Sequence, residues 1–210
     1  MHTEIISYAG WKETLRLFND VVELMITLEV GPRILSYRHH RGKNVFKQYP
    51  EQLGKSEETQ WRIRGGHRLW TAPEDLAITY HIDNVPITFS ESPGGEILLT
   101  SYQTEPIKIR KEIALKLEES SHVMVRHSII NEGKTDLMLS PWALTVMAPG
   151  GLEIIPQPPL GEHPHDLLPN RKMILWPYTD LSDPRWNFGT RYITLKHAAD
   201  SLPTKLGLAH

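Results

Sequence analysis

Hydrophobic and polar residues alternate with a period of two along most of this chain. In residues 107–117, IKIRKEIALKL, one side carries Ile107, Ile109, Ile113, Leu115 and Leu117, while Lys108, Arg110, Glu112, Lys116 and Glu118 fall on the other. That spacing predicts a strand with one wetted face. An EESS turn follows, and in HVMVRHSIIN the residues Val123, Val125 and Ile129 alternate again. Residues 107–131 therefore predict a long antiparallel hairpin. ETLRLF, a turn at Asn19 and Asp20, and VVELMITLEV have the same form, and Asn and Asp tolerate the left-handed backbone of such a turn.

Further strands are predicted at RILSYRH, NVFKQY, DLAITYHI, VPITFSE, EILLTSY, DLMLSPWALTVM, LEIIP, KMILWP and RYITLK. No stretch sustains a 3.6-residue period over three turns. With 16 prolines and 14 glycines punctuating short strands, the expected fold is all-β, a large antiparallel β-sandwich. Residues 50–60 predict a mobile loop, and the proline-rich 156–172 an irregular segment over the end of the sandwich. No repeat, low-complexity tract or domain boundary is read, so residues 1–210 are expected to form a single domain.

Composition narrows the function. At 210 residues, 40% hydrophobic, the chain is long enough to hide roughly 70% of its unfolded surface. Lys and Arg number 23 against 25 Asp and Glu, for a formal charge of -2, and no basic run calls for nucleic acid. The absence of cysteine removes disulfides, thiol catalysis and thiolate metal sites. The N-terminus has no unbroken apolar stretch of signal-peptide type, and no segment approaches the roughly 20 apolar residues of a membrane span. A soluble cytoplasmic protein without a membrane partner is expected.

The densest chemistry lies in residues 64–75, RGGHRLWTAPED. A Gly-Gly pair at the start of a strand allows a tight turn or close backbone approach. The mixture that follows suits a sugar: Trp70 as an apolar plate, Arg68, Glu74 and Asp75 for hydroxyls, and His67 for proton exchange near neutrality. The alternative is structural, with Trp70 in the core, Arg68 paired to Glu74 or Asp75, and His67 capping a turn.

The order of VGPRILSY, GGHRLWTAPED, HSIINEG, SPWALTVMAPGG and DPRWNFGTRYITL resembles the galactose mutarotase-like superfamily, in an uncharacterised branch, over most of the chain. The resemblance implies a supersandwich fold and a cofactor-free aldose 1-epimerase (mutarotase) chemistry, in which a glutamate base and a histidine acid open and reclose the sugar ring. It implies Arg68 as the sugar-holding arginine and Trp142 as an aromatic floor. The chain departs from the pattern twice: no histidine lies between 128 and 162, and no late glutamate is found before LPTKLGLAH. The sandwich is accordingly expected to lack C-terminal strands, with His67 replacing the missing acid. The site expected from sequence is thus His67 as catalytic residue with Arg68, Trp70, Glu74 and Trp142 binding substrate, and neither cofactor nor metal.

Other candidates rank below these. His127 keeps register with Val123 and Val125, so it is expected inward and hydrogen-bonded to backbone. His39 and His40 point to opposite faces and cannot chelate together. His163-Pro164-His165-Asp166 resembles a cupin metal motif but has no nearby third ligand. Trp142, Trp176 and Trp186 read as buried mass, with Trp142 the one to follow; Arg33 and Arg185 read as cleft-lining or ion-paired. No nucleophile elbow or phosphate-binding glycine loop is present.

Three functions remain open on sequence: a sugar epimerase, a sugar-binding module without a competent acid-base pair, and a structural accessory domain, with a cupin-like metal protein as a further alternative. The missing acid and base favour binding over catalysis. An uncovered sheet edge invites pairing, so a homo-oligomer is expected.

Overall fold

A computed structural model describes residues 1–198 and 200–209. The described chain is built from strands β1 (His2–Tyr8), β2 (Trp11–Phe18), β3 (Val22–Thr27), β4 (Arg33–His39), β5 (Gly66–Ala72), β6 (Thr88–Glu91), β7 (Ile97–Gln103), β8 (Ile109–Leu117), β9 (Val123–Asn131), β10 (Ser140–Val146), β11 (Leu152–Pro156), β12 (Lys172–Leu175), β13 (Trp186–Phe188), β14 (Tyr192–Lys196) and β15 (Leu206–Ala209), with one short 3-10 turn at Pro50–Gln52. All pairings between strands are antiparallel. The fold is all-β, as the alternation of the sequence predicts. No described helix is long and apolar enough to cross a membrane.

The chain divides into two compact units, Met1–Ala148 and Pro149–His210. In the first, a six-stranded sheet in the order β1-β2-β3-β4-β5-β10 faces a four-stranded sheet in the order β6-β7-β8-β9. Alternate residues of both fill the space between them: Leu15, Leu17, Leu24, Ile26, Ile34 and Leu69 from one, Ile97, Leu99, Ile113, Leu115 and Leu117 from the other. Period-two side chains meeting across two layers are what a β-sandwich core requires. The second unit holds the three-stranded sheet β11-β14-β13 and the pair β12-β15.

Both hairpins predicted from sequence form. Between β2 and β3, Asn19 closes the turn by accepting from the amides of Val21 and Val22, and its side-chain amide donates to the carbonyls of Glu118 and Ser120. The β8–β9 hairpin pairs Leu117 with Val123 through Ile109 with Asn131. Ile107 falls outside it, before the strand begins.

Two predicted strands do not form. DLAITYHI, residues 75–82, is turn structure, because Asp75 accepts from the amides of Ala77 and Ile78 and so curls the chain at the point where a strand would extend it. NVFKQY, residues 44–49, makes only isolated bridges, Phe46 to Met147 and Gln48 to Gly65. Residues 50–60, expected to be mobile, are tied down: the Lys55 carbonyl and Glu58 carboxylate both accept from Arg64.

Candidate functional site

The site is organised by the approach to β5. Arg64, Gly65 and Gly66 all have positive φ, at 51°, 94° and 70°. A left-handed run of this kind costs little for glycine and roughly 1–3 kcal/mol for arginine. It brings the backbone so close to its neighbours that a Cβ on Gly65 would lie 2.0 Å from the Lys47 carbonyl oxygen, and one on Gly66 2.1 Å from that of Ile34. The strand that follows is thereby fixed between β4 and β10, with Arg33 opposite Arg68 and Ile34 opposite His67, and with Trp142 opposite Trp70 and Thr145 opposite His67.

From Gly66 onward side chains alternate between faces, and this separates residues that the sequence placed in one cluster. His67 points with Leu69 into the space between the sheets. Its Nε2 lies 2.7 Å from His127 Nε2 on β9, and its Nδ1 lies 2.8 Å from Thr145 Oγ1. His67, but not His127, lines a cavity of about 530 Å³ whose other lining, including Leu24, Ile34, Phe46, Val123 and Val125, is mostly apolar. Burial first, then the charges of His127 and Arg68, push the His67 imidazole down to about 4. His127 is also lowered, by burial. His127 is inward, as its register predicts, but its partner is a second imidazole and not the backbone.

Arg68 and Trp70 occupy the opposite face. The Arg68 guanidinium carbon lies 4.4 Å from the centre of the Trp70 ring and 5.1 Å from that of Trp61. Four aromatic rings form one contiguous group: Trp70 sits 4.9 Å from Trp61, 4.8 Å from Tyr80 and 5.5 Å from Trp142. Trp70 is buried, whereas Trp61, Tyr80 and Trp142 are each partly open to solvent. Trp142 is thus not buried mass, and Trp176 and Trp186 of the second unit are likewise only partly buried. The Tyr80 hydroxyl donates to Glu74 at 2.5 Å, so Glu74 joins this group through Tyr80. The structure therefore brings Arg68, Trp70, Glu74 and Trp142 together and leaves His67 on the far side of the strand.

The surroundings of Arg68 are cationic. Arg33 is fully buried and donates to Asp83 Oδ2 at 2.6 Å and to the carbonyls of Arg62 and Ile63. Arg64, also fully buried, pairs with Glu58 at 2.8 Å and reaches Asn84 Oδ1. Arg68 makes no ion pair with Glu74 or Asp75, and its Nε and Nη1 have no hydrogen-bond partner. Burial first, then the charge of Arg33, pushes the Arg68 guanidinium down to about 10. A small enclosed pocket of about 20 Å³ touches Trp61, Trp70, His81, Asp83, Gln103 and Lys111. That is room for a water-sized occupant and not for a hexose, so a sugar has to be met on the exposed rims of the rings.

Trp61, Tyr80, His81, Asp83 and Lys111 were not singled out from sequence. Lys111 did carry a signal: it occupies the inward register between the apolar Ile109 and Ile113, and it is 8% exposed. Trp61 and Asp83 lie in segments without a regular period, and Tyr80 and His81 lie in DLAITYHI, whose alternation reads as a strand. Arg33 resolves to its ion-paired reading, and Arg185 pairs with Asp183 inside the second unit. Among the described residues, no group of three or more His, Cys, Asp or Glu side chains is placed to hold a metal, and the His163 to Asp166 motif is exposed. Neither family models, curated proteins nor solved structures yield a match to the chain.

Proposed function

We propose that this chain is a carbohydrate-binding protein of the aldose 1-epimerase-like type that captures its ligand without catalysing a reaction on it. The observation that carries this reading is the four-ring group of Trp61, Trp70, Tyr80 and Trp142 around Arg68. Partly exposed indole and phenol faces present apolar plates to the C–H faces of a sugar ring, while Glu74 and Tyr80 supply directional hydrogen bonds at the edges. The mutarotase-like resemblance of the sequence supports the same ligand class. Epimerisation needs an acid and a base flanking one ring. His67, the acid expected from sequence, is on the other face of β5 with its imidazole committed to Thr145 and His127, and His81, which lines the small pocket with Trp61 and Trp70, is held below its ordinary value chiefly by burial.

Saturation-transfer NMR and polarimetry with freshly dissolved α-glucose, α-galactose and a monosaccharide panel test this reading together. The expected result is saturation transfer to at least one sugar with no acceleration of mutarotation. Trp142→Ala is expected to remove the transfer while costing little stability, since the ring is only partly buried. Absence of transfer across the panel would end the carbohydrate reading; accelerated mutarotation would restore the enzymatic one.

A second reading is favoured by the size of the cavity beside His67. Its mostly apolar lining and volume of about 530 Å³ fall in the range of small-molecule sites and suit an apolar ligand with one polar group at the His67 imidazole. Chemical-shift changes centred on Val123, Val125 and His67 on adding an apolar ligand would support it, and their absence would dismiss it.

A further inference from the structure

β10 ends the six-stranded sheet, with β5 as its only strand neighbour there. The Val146 carbonyl accepts from the Lys47 amide, and the Ala148 amide donates to the Val45 carbonyl. On β5 the Thr71 carbonyl turns the opposite way, away from β10, to accept from Thr79. Amides and carbonyls alternate between the two edges of a strand, so the even-numbered residues of β10 bond inward. Ala143, Thr145 and Met147 direct theirs out of the sheet, and all three residues are exposed. Thr145 and Met147 also line the apolar cavity between the sheets, and at its mouth Met147 and Val45 are 52% and 41% exposed. The sandwich is therefore open along this edge.

Free strand edges are ordinarily guarded by charge, proline or a covering segment. The other three free edges of these two sheets each carry a charge: Glu4 on β1, Glu91 on β6 and Arg126 on β9. β10 carries none, and no charged residue occurs from Leu137 to Leu152. Pro141 and Pro149, which cannot donate to a ladder, stand four residues to either side of Thr145. They bracket a short pairing edge and leave it open between them.

We infer that β10 pairs antiparallel with β10 of a second copy of this chain, about a two-fold axis at Thr145. In that register Ala143 to Met147 lie opposite the same run reversed, and the two prolines fall opposite each other outside the ladder. Moving the axis one or two residues either way sets a proline against an outward-facing residue that needs its donor. An uncharged strand paired with its own reverse brings no charge into the contact, whereas Glu4, Glu91 or Arg126 from another edge would meet an apolar strand without a counter-charge. Because the patch meets itself, the assembly closes at two copies. Met147 then lies beside Ala143 of the partner subunit on the open face, adding apolar cover where the sandwich lacks it. The inference is independent of the carbohydrate reading.

The test is the mass of the full chain by sedimentation equilibrium over a concentration series, with circular dichroism reporting the fold of each variant. The unaltered chain is expected to approach twice the chain mass and go no further. Ala143→Lys guards the exposed edge with a charge and is expected to stay monomeric where the unaltered chain is dimeric. The chain has no cysteine, so Thr145→Cys introduces a single thiol. Residues opposite each other in a hydrogen-bonded antiparallel pair lie about 5.5 Å apart at Cα, within reach of a disulfide, so this variant is expected to form a linked dimer on mild oxidation. Met147→Cys, whose two copies lie well beyond that reach, is expected to link at least roughly tenfold more slowly. A monomer at every concentration overturns the inference, as does a mass that keeps growing past two copies or a dimer that survives Ala143→Lys. Equal linkage of the two cysteine variants overturns the pairing at Thr145. If Ala143→Lys fails to fold, the ratio of the two linkage rates decides the question. Sugar binding is read separately by saturation transfer, so failure of either reading leaves the other standing.

Discussion

His67 on β5 and His127 on β9 face each other across the sandwich with their Nε2 atoms 2.7 Å apart. At that distance one ring donates its N–H to the lone pair of the other, so the contact needs at least one neutral imidazole. Protonating both would place two like charges together in a half-buried site.

Stability is therefore expected to fall on mild acidification. In the unfolded chain a histidine takes up its proton near 6.5, whereas folded His67 resists protonation until about 4. Between those values the unfolded state binds more protons, so stability is fully present above 6.5 and declines as pH drops toward 4, by about 2 kcal/mol at pH 5 and about 3 kcal/mol at pH 4. Urea unfolding at pH 7.5 and pH 5 measures this. His67→Gln, which cannot titrate, should show a flatter dependence; an identical loss in that variant would place the acid sensitivity elsewhere.

Gly66→Ala should be severe for a single methyl. The new Cβ would meet the Ile34 carbonyl oxygen at 2.1 Å, at a residue whose φ is 70°. Backbone strain and steric displacement together are expected to cost at least about 2 kcal/mol. Because Ile34 anchors the β4–β5 pairing, the variant should also alter the fluorescence of the Trp61 and Trp70 pair. A variant of unchanged melting temperature would show that β4 and β5 can separate at no cost.

Lys111→Met should stabilise the protein. The ammonium is buried within the apolar register of β8 and lowered chiefly by burial, with Arg33 adding repulsion against the attraction of Asp83. Replacing an ill-compensated buried charge with an apolar side chain of similar length is expected to add about 1–2 kcal/mol. A lower denaturation midpoint would instead mean that Asp83 holds the lysine at a net gain.

Glu23→Gln should destabilise. Glu23 is 3% exposed on β3 and accepts from Arg16 Nε at 2.8 Å and from Arg38 Nε at 2.6 Å. Burial pushes its carboxyl up, but the hydrogen bonds and charges of Arg16 and Arg38 together outweigh this and leave it below the ordinary glutamate value. Loss of the charge is expected to cost about 2 kcal/mol, less than for a fully enclosed pair because both arginines reach solvent. Thermal unfolding at pH 7 checks it, and a cost below a few tenths of a kcal/mol would show that the pairing contributes nothing net.

Period-two alternation and turn chemistry are local properties of the backbone, and they sufficed for the all-β class, the β2–β3 and β8–β9 hairpins, and the inward register of His127. The same rule implied that His67 and Arg68, as neighbours on a strand, face opposite ways; grouping them by composition overlooked it. Segment 75–82 alternates like a strand but turns, because the Asp75 side chain offers its amides a nearer acceptor than any adjacent strand. What only the tertiary structure decided is which distant groups meet: His67 with His127 across the two sheets, and Arg33, Arg64 and Arg68 around Asp83, Glu58 and the four rings. Those meetings depend on strand order and on the close backbone approach at Gly65 and Gly66. Neither leaves a periodic trace in the chain, because contact between residues far apart in sequence arises from sheet pairing and packing and not from local spacing.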